Sequence, residues 1–341
     1  MMRLLKGGAG NFLPAMALTL CAVLTGCQSQ VPSDGNLAAV NPLSEDEIIL
    51  TVPVRELADY DQLMVLKLSE ILDKGAVDSA ERAQLFYELG IVYDRMGLDS
   101  SARVMFMNAI FEKPDFAPAY DFMGVYLASA GHFQDAYEAF DSALELARKQ
   151  GQKRIFTYFS RAIALYYGER APMALADFER DYAQRRGDPY RLLWGYILES
   201  EVYGEKTALE KLAVRATDAA AEQQEAFGMR LVDYVLGRLS EEELLDQMRD
   251  PSLTMQERIE RVCEGYFYLG KAEQIRGRDL RAFWFYHLAV ATEKYDFLEH
   301  RYARLEIERL ARKHSIYTYA HPTVLNTAPA EESNDDFQEE P

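Results

Sequence analysis

Few residues of this 341-residue chain are of types that do covalent chemistry. Thiolates attack electrophiles and bind soft metals, and imidazoles act as general bases and zinc ligands. The candidates are therefore Cys21, Cys27 and Cys263, with His132, His287, His300, His314 and His321. A zinc hydrolase needs two histidines one helical turn apart, commonly with a glutamate between them, and no two of these histidines are four residues apart. Cys263 has no base matched to it and reads as a buried or partly buried thiol. Gly-x-Ser-x-Gly is absent, and Gly7-Gly8-Ala9-Gly10 precedes no strand and cannot cradle a phosphate. No catalytic residue, metal site or diffusible cofactor is expected, and the chain reads as a non-enzyme. Its 37 Lys and Arg against 55 Asp and Glu leave a formal charge of −18, the wrong sign for gripping nucleic acid through counterion release. An apolar share of 49% is enough for a folded core.

Cys27 stands apart. Arg3 and Lys6 precede an apolar run from Phe12 to Leu24, with no acidic residue before Asp34, which is the pattern of an export signal. The run is well short of the roughly 20 residues that a spanning helix needs. It ends Leu24-Thr25-Gly26-Cys27, which resembles a bacterial lipoprotein signal. That resemblance implies that residues 1–26 are removed and that Cys27 becomes the acylated N-terminus, its covalent lipid being the anchor. Three acyl chains at about 0.8 kcal/mol per buried methylene exceed the two-chain requirement for stable anchoring. Gln28, where inner-membrane retention uses Asp, implies the outer membrane, with the protein facing the periplasm. Cleavage takes away two basic side chains and no acidic one, so the formal charge goes from −18 to −20. With Cys21 removed and Cys27 modified, no internal disulfide framework is possible. Residues 27–55 mix Gln, Ser, Pro, Gly, Asn and Asp and read as a solvated tether.

The elements that follow are helical and repeated. Gly90, Ala102, Phe106 and Ala109 recur 34 residues on as Gly124, Ala136, Phe140 and Ala143, with internal separations of 12, 4 and 3 in both sets. The spacing returns in Ala162, Ala174, Phe178 and Asp181, and in Gly270, Ala282, Tyr286 and Ala289. Gly97, Gly131 and Gly277 sit where a first helix must reverse, with Gly168 one residue early in the third copy. Small residues let the two helices of a unit approach, and the aromatics fill the wedge between them. The expected fold is all-α: a tetratricopeptide-repeat superhelix of antiparallel helix pairs with extra N-terminal and capping helices. Residues 56–80 form a helical preface, 81–188 three repeats, 189–260 a less regular helical stretch, and 261–312 a last repeat with its cap. In the third segment Ser240-Glu241-Glu242-Glu243 reads as a helix N-cap with an acidic first turn. The tail 313–341 carries six acidic residues and no Lys or Arg from Asn326 onward, and is expected to be disordered.

A stacked array of helix pairs offers a long concave surface. Repeat geometry points Tyr87, Ile91, Asp94, Asp121, Val125, Phe159, Ile163, Tyr166, Phe267 and Lys271 inward, as a partner-binding groove that is aromatic with scattered acids. The segments Ala136-Tyr137-Glu138-Ala139-Phe140-Asp141-Ser142, Ile163-Ala164-Leu165-Tyr166-Tyr167-Gly168 and Glu299-His300-Arg301-Tyr302-Ala303, behind a lipidated N-terminus, resemble the NlpI lipoproteins of Gram-negative bacteria. That resemblance implies a homodimeric, non-catalytic outer-membrane adaptor. It implies as partners a periplasmic tail-specific protease, murein endopeptidases and other peptidoglycan hydrolases. The alternative in another class is a structural assembly factor for outer-membrane proteins.

Overall fold

A computed structural model of the chain describes residues 41–52, 55–75, 77–152, 155–219 and 226–315, without the side chains of 55–57 and 155. The signal segment, Cys27 and the acidic tail from 316 onward lie outside the described residues. Fourteen α-helices and no strand occur among those residues. In chain order they are α1 (Arg55–Asp73), α2 (Ser79–Arg95), α3 (Asp99–Glu112), α4 (Ala117–Ser129), α5 (Phe133–Lys149), α6 (Ile155–Tyr167) and α7 (Ala171–Tyr182). There follow α8 (Pro189–Tyr203), α9 (Glu205–Arg215), α10 (Phe227–Val235), α11 (Glu241–Arg249), α12 (Met255–Ile275), α13 (Asp279–Val290) and α14 (Leu298–Lys313). Successive helices pack as antiparallel pairs, α2 on α3, α4 on α5, α6 on α7, α8 on α9 and α12 on α13, in a helical-repeat superhelix.

Local sequence explains where helices begin. Asp78, Ser240 and Thr254 each accept from the backbone N–H three residues on, at 2.9, 3.2 and 3.2 Å, and Glu81, Glu243 and Glu257 reach back to the cap nitrogens. Each such box satisfies two of the donors that a helix start leaves orphaned. The ends of first helices are equally regular. The same backbone bond closes α2, α4, α6 and α12: Leu98 N–H to Tyr93 C=O (2.9 Å), His132 to Leu127 (2.8 Å), Arg170 to Leu165 (2.8 Å) and Arg278 to Glu273 (2.8 Å). The left-handed residue inside this motif is Gly97, Gly131 and Gly277 in three copies, and Glu169, at φ 61°, in the fourth. Gly168 is therefore not the reversing residue of the third repeat; Glu169 holds that position against the steric preference of its Cβ.

The repeat core rests on aromatic rings laid on small residues. A Cβ on Gly90, Gly124 or Gly270 would lie 2.5, 2.6 and 2.6 Å from a ring carbon of Phe106, Phe140 and Tyr286, sixteen residues on in each case. Ala102, Ala109, Ala136, Ala143, Ala174, Ala282 and Ala289 are fully buried beside them. In the third copy, where Ala162 replaces the glycine, the Phe178 ring instead lies over Gly195 of α8, 2.6 Å from where a Cβ would stand. The α8–α9 hairpin is thereby stacked on the third repeat. Beyond α9 the pattern gives way to two nine-residue helices, α10 and α11, before the long α12 restores it.

One segment expected to be solvated is not. Leu43 and Ile49 are buried in the main core, the Tyr266 hydroxyl donates to Glu47 C=O at 2.6 Å, and the Ile49 N–H donates to the same hydroxyl at 2.6 Å. Glu47 also pairs with Arg281 at 2.7 Å. Residues 43–49 are a strap across the last repeat, because Leu43 and Ile49 supply apolar surface that a tether lacks and Tyr266 satisfies the extended backbone.

The turn at Glu169 yields a stability prediction. Glu169→Gly relieves a left-handed non-glycine, which offsets the entropy of the added glycine, and should stabilise the chain by about 0.5–1 kcal/mol in urea titration. Gly131→Ala, at φ 83°, should destabilise it by at least as much.

Candidate functional site: the concave face and its occupant

The first helices α2, α4, α6, α8 and α12 put their inner faces toward one another, and α14 occupies the space between them. Its first turns reach α2 and α4. Arg301 bonds the Asp94 carboxylate, which also accepts from the Tyr126 hydroxyl, and the guanidinium lies 5.0 Å from the Tyr126 ring centre. Arg304 meets Asp99 at 3.2 Å. The middle of α14 reaches α6, α8 and α12. Tyr302 stacks on Tyr167 at 5.0 Å between centroids and 11° between planes, and meets Trp194 edge-on at 6.0 Å. Glu306 pairs with Lys271, whose ammonium lies 4.9 Å from the rings of Tyr166 and Tyr167 and 5.9 Å from Trp194. Gln274 donates to the other Glu306 oxygen at 3.0 Å. The last turn is held by Arg309, donating to Tyr167 C=O at 3.1 Å, and by Lys313 and His314, both 2.7 Å from Asp279.

These pairs are out of water. Lys271 is 2% and Glu306 1% exposed, and Asp94 and Arg301 are 3% and 7%. Burial alone would raise the Glu306 carboxyl, but the Lys271 ammonium and the donors around it hold it below the ordinary carboxylate range. Arg301, which burial would lower, is held above its usual range by Asp94 and Tyr126. A second acidic group sits at the N-terminal end of α14. Glu264 of α12, which accepts from the Tyr190 hydroxyl at 2.7 Å, is pushed up to about 8 by burial and by the neighbouring Glu299. Glu299, raised in turn by burial, accepts from Tyr268 at 3.0 Å.

The expected open groove is corrected by this arrangement. Asp94, Phe159, Ile163, Phe267 and Lys271 are buried, the two charged ones against α14. Phe159 and Phe267 pack on Trp194 at 6.3 and 6.1 Å, and Ile163 lies in the same cluster. Tyr166 is half-buried beneath the Lys271 ammonium. Tyr87 and Ile91 pack where the first repeat meets α4 of the second, Tyr87 against Phe106, Phe116 and Phe122. Val125 packs beside Phe140, and Asp121 accepts from Thr157 at 2.7 Å. What Asp94 and Lys271 meet is this chain's own last helix, through Arg301 and Glu306. A signal for this was present in the sequence. Arg301 and Glu306 lie among Tyr302, Leu305 and Leu310 on α14, and the inward set contains the acids Asp94 and Asp121 and one base, Lys271, to answer them.

Cys263 is fully buried, and burial pushes its thiol well above the usual range, away from thiolate chemistry. No cluster of three or more metal-ligating side chains occurs among the described residues. No described helix is long and apolar enough to cross a membrane. What the surface does offer is an apolar stripe on α3, Val104, Met107 and Phe111 at i, i+3 and i+7, with Phe111 84% exposed.

No known protein-family profile matches the chain. Among solved structures it is similar to one titled "Crystal structure of APC/C hetero-tetramer Cut9-Hcn1", at 14% identity and a TM-score of 0.41, over 73% of this chain and 46% of that one. The chain thus spans less than half the length of that neighbour, and at this distance the likeness speaks to neither partners nor activity.

Two measurements probe the seat of α14. Glu306→Leu leaves the Lys271 ammonium buried without its counter-ion and should cost about 3–5 kcal/mol, whereas Lys271→Met combined with Glu306→Leu should recover most of the loss. Glu264, near 4.5 when unfolded and about 8 when folded, binds a proton only in the folded state between those values. Its stabilising protonation is therefore lost as pH rises from about 5 to about 8. A Tm-against-pH profile should fall across that window, and Glu264→Gln should flatten it.

Proposed function

We propose that the chain is a non-catalytic, lipid-anchored adaptor of the outer membrane, facing the periplasm, that gathers murein endopeptidases, other peptidoglycan hydrolases and a tail-specific protease on one scaffold. The helical-repeat superhelix supports a protein-binding role, because such arrays present broad, rigid faces assembled from neighbouring hairpins. The finer reading rests on the lipoprotein signal at Cys27 and on the resemblance to the NlpI lipoproteins, which also implies pairing with a second copy. Holding two enzymes on one anchored scaffold raises their effective concentration for each other to about the millimolar range, with no new contact between them needed.

The observation that carries the reading is the filled concave face. With α14 seated there, partners dock on outer faces, and the exposed α3 stripe is one apolar surface available for it. Phe111 is the anchor such a contact would use, a large aromatic standing free of the core.

The test is capture from envelope extracts by the full lipidated chain, with bound proteins identified by mass spectrometry. Murein hydrolases and a tail-specific protease are expected. Phe111→Glu should lower their recovery about tenfold while leaving Tm unchanged, since exposed substitutions rarely alter stability by more than about 0.5 kcal/mol. Cys27→Ala should release the complex from membranes without abolishing capture. Recovery of β-barrel assembly components in place of wall enzymes would overturn the reading in favour of an outer-membrane assembly role.

A further inference from the structure

The C-terminal end of α14 borders an open cleft beside the α4–α5 and α6–α7 turns. Two adjoining depressions, of about 710 and 360 Å³, share Phe133 and Gly168 in their walls. Their floor is apolar: Phe133 stacks on Tyr167 at 6.3 Å, with Leu165 and Leu310 alongside. Their rim is basic, which is unusual in a chain of formal charge −18. Arg309, Arg312 and Lys313 come from α14, Arg170 from the α6–α7 turn, against the acids Asp135 and Glu169. Lys313 is committed to Asp279, and Arg309 lies 5.3 Å from the Tyr167 ring centre. Arg170 and Arg312 are exposed, and neither has a carboxylate partner among the described residues.

The chain continues from this rim. Residues 316–341 begin three positions after Lys313, and 326–341 carry Glu331, Glu332, Asp335, Asp336, Glu339 and Glu340 with no Lys or Arg. Among them stands one large apolar residue, Phe337, within Asp335-Asp336-Phe337-Gln338-Glu339-Glu340. That pattern mirrors the cleft, an aromatic centre with charges around it of the opposite sign. Nineteen residues separate Ser315 from Asp335. A chain of that length has a root-mean-square reach of about 25 Å, which keeps the acidic segment at roughly millimolar effective concentration over the cleft.

We propose that the acidic segment 331–340 docks in this cleft, with Phe337 on the Phe133–Leu310 floor and its carboxylates against Arg170 and Arg312, so that the chain screens its own basic surface. Each surface attraction is weak and salt-sensitive, and several acting together with an apolar anchor favour the docked state intramolecularly. An incoming partner must then carry enough negative charge to displace the segment, which makes the cleft selective.

The test uses the full-length chain with a photoreactive benzophenone side chain at position 337, irradiated at low salt and mapped by mass spectrometry. Isotopically heavy and light chains are mixed to separate intrachain from interchain products. Cross-links within one chain, to peptides containing Phe133 or residues 309–313, are expected. They should fall about tenfold in Arg170→Glu/Arg312→Glu, and likewise in 0.5 M NaCl. Neutralising the tail with Asp335→Asn, Asp336→Asn, Glu339→Gln and Glu340→Gln should do the same, and it leaves every residue of the folded array untouched. Products scattered over the surface, products between heavy and light chains, or a yield indifferent to charge and salt would each overturn the proposal.

Discussion

The arrangement depends on seating one charged helix in a dry groove. Asp94 answers Arg301 near the start of α14 and Lys271 answers Glu306 at its middle, so the two buried pairs run in opposite senses along the helix. Desolvating four such groups costs several kcal/mol each, and their mutual attraction roughly cancels that cost only in the native register. Sliding α14 by a turn or reversing it would leave all four buried without partners. The pairs thus contribute less to net stability than to uniqueness: the apolar contacts of Tyr302, Leu305 and Leu310 favour burial, and the charges restrict it to one pose.

What makes the groove concave is the close approach of helices within each hairpin. Phe106, Phe140 and Tyr286 lie directly on glycines, so each first helix sits nearer its partner than any side chain at those positions would allow. Repeated along the array, that approach brings α2, α4, α6, α8 and α12 around a common axis. The third copy departs from the rule, with Ala162 for glycine and Glu169 at the reversal, and there the Phe178 ring turns to Gly195 of the next unit. Volume removed at one repeat is thus recovered at its neighbour, and the irregular α8 hairpin is bound into the stack by the same ring.

Much of this was legible in the sequence because short-range sterics dictate it. The 12, 4, 3 spacing marks hairpins since glycine, alanine and phenylalanine are required at fixed heights on facing helices. Ser240-Glu241-Glu242-Glu243 is visible as a cap since its bonds are local. The groove's state was not legible from periodicity, which fixes the direction in which Asp94 and Lys271 point but not what they meet. Their partners lie 207 and 35 residues away. The strap at 43–49 escaped for a related reason: its polar composition resembles a tether, and it is Tyr266, more than two hundred residues on, with the core that takes up Leu43 and Ile49, that turns its backbone into a docked segment. Residue type predicts local geometry well; it predicts the identity of a remote partner only where a buried charge demands one of opposite sign.

These remote contacts alter how the array behaves as a scaffold. A solenoid whose repeats touch only their neighbours has stability that is roughly a sum over units, and it can fray from either end. Here Arg301 ties the last helix to the first repeat and Tyr302 ties it to α6 and α8, so opening α2 at Asp94 strands a buried guanidinium in α14. Fraying at one terminus therefore raises the free energy of the other, and the array unfolds as a more cooperative unit than its hairpins would alone. For the adaptor role proposed above this coupling would be useful, because spacing between distant docking surfaces is only as constant as the curvature of the stack. In an open superhelix that curvature is a soft variable; with α14 packed against five inner helices it is fixed by the core itself.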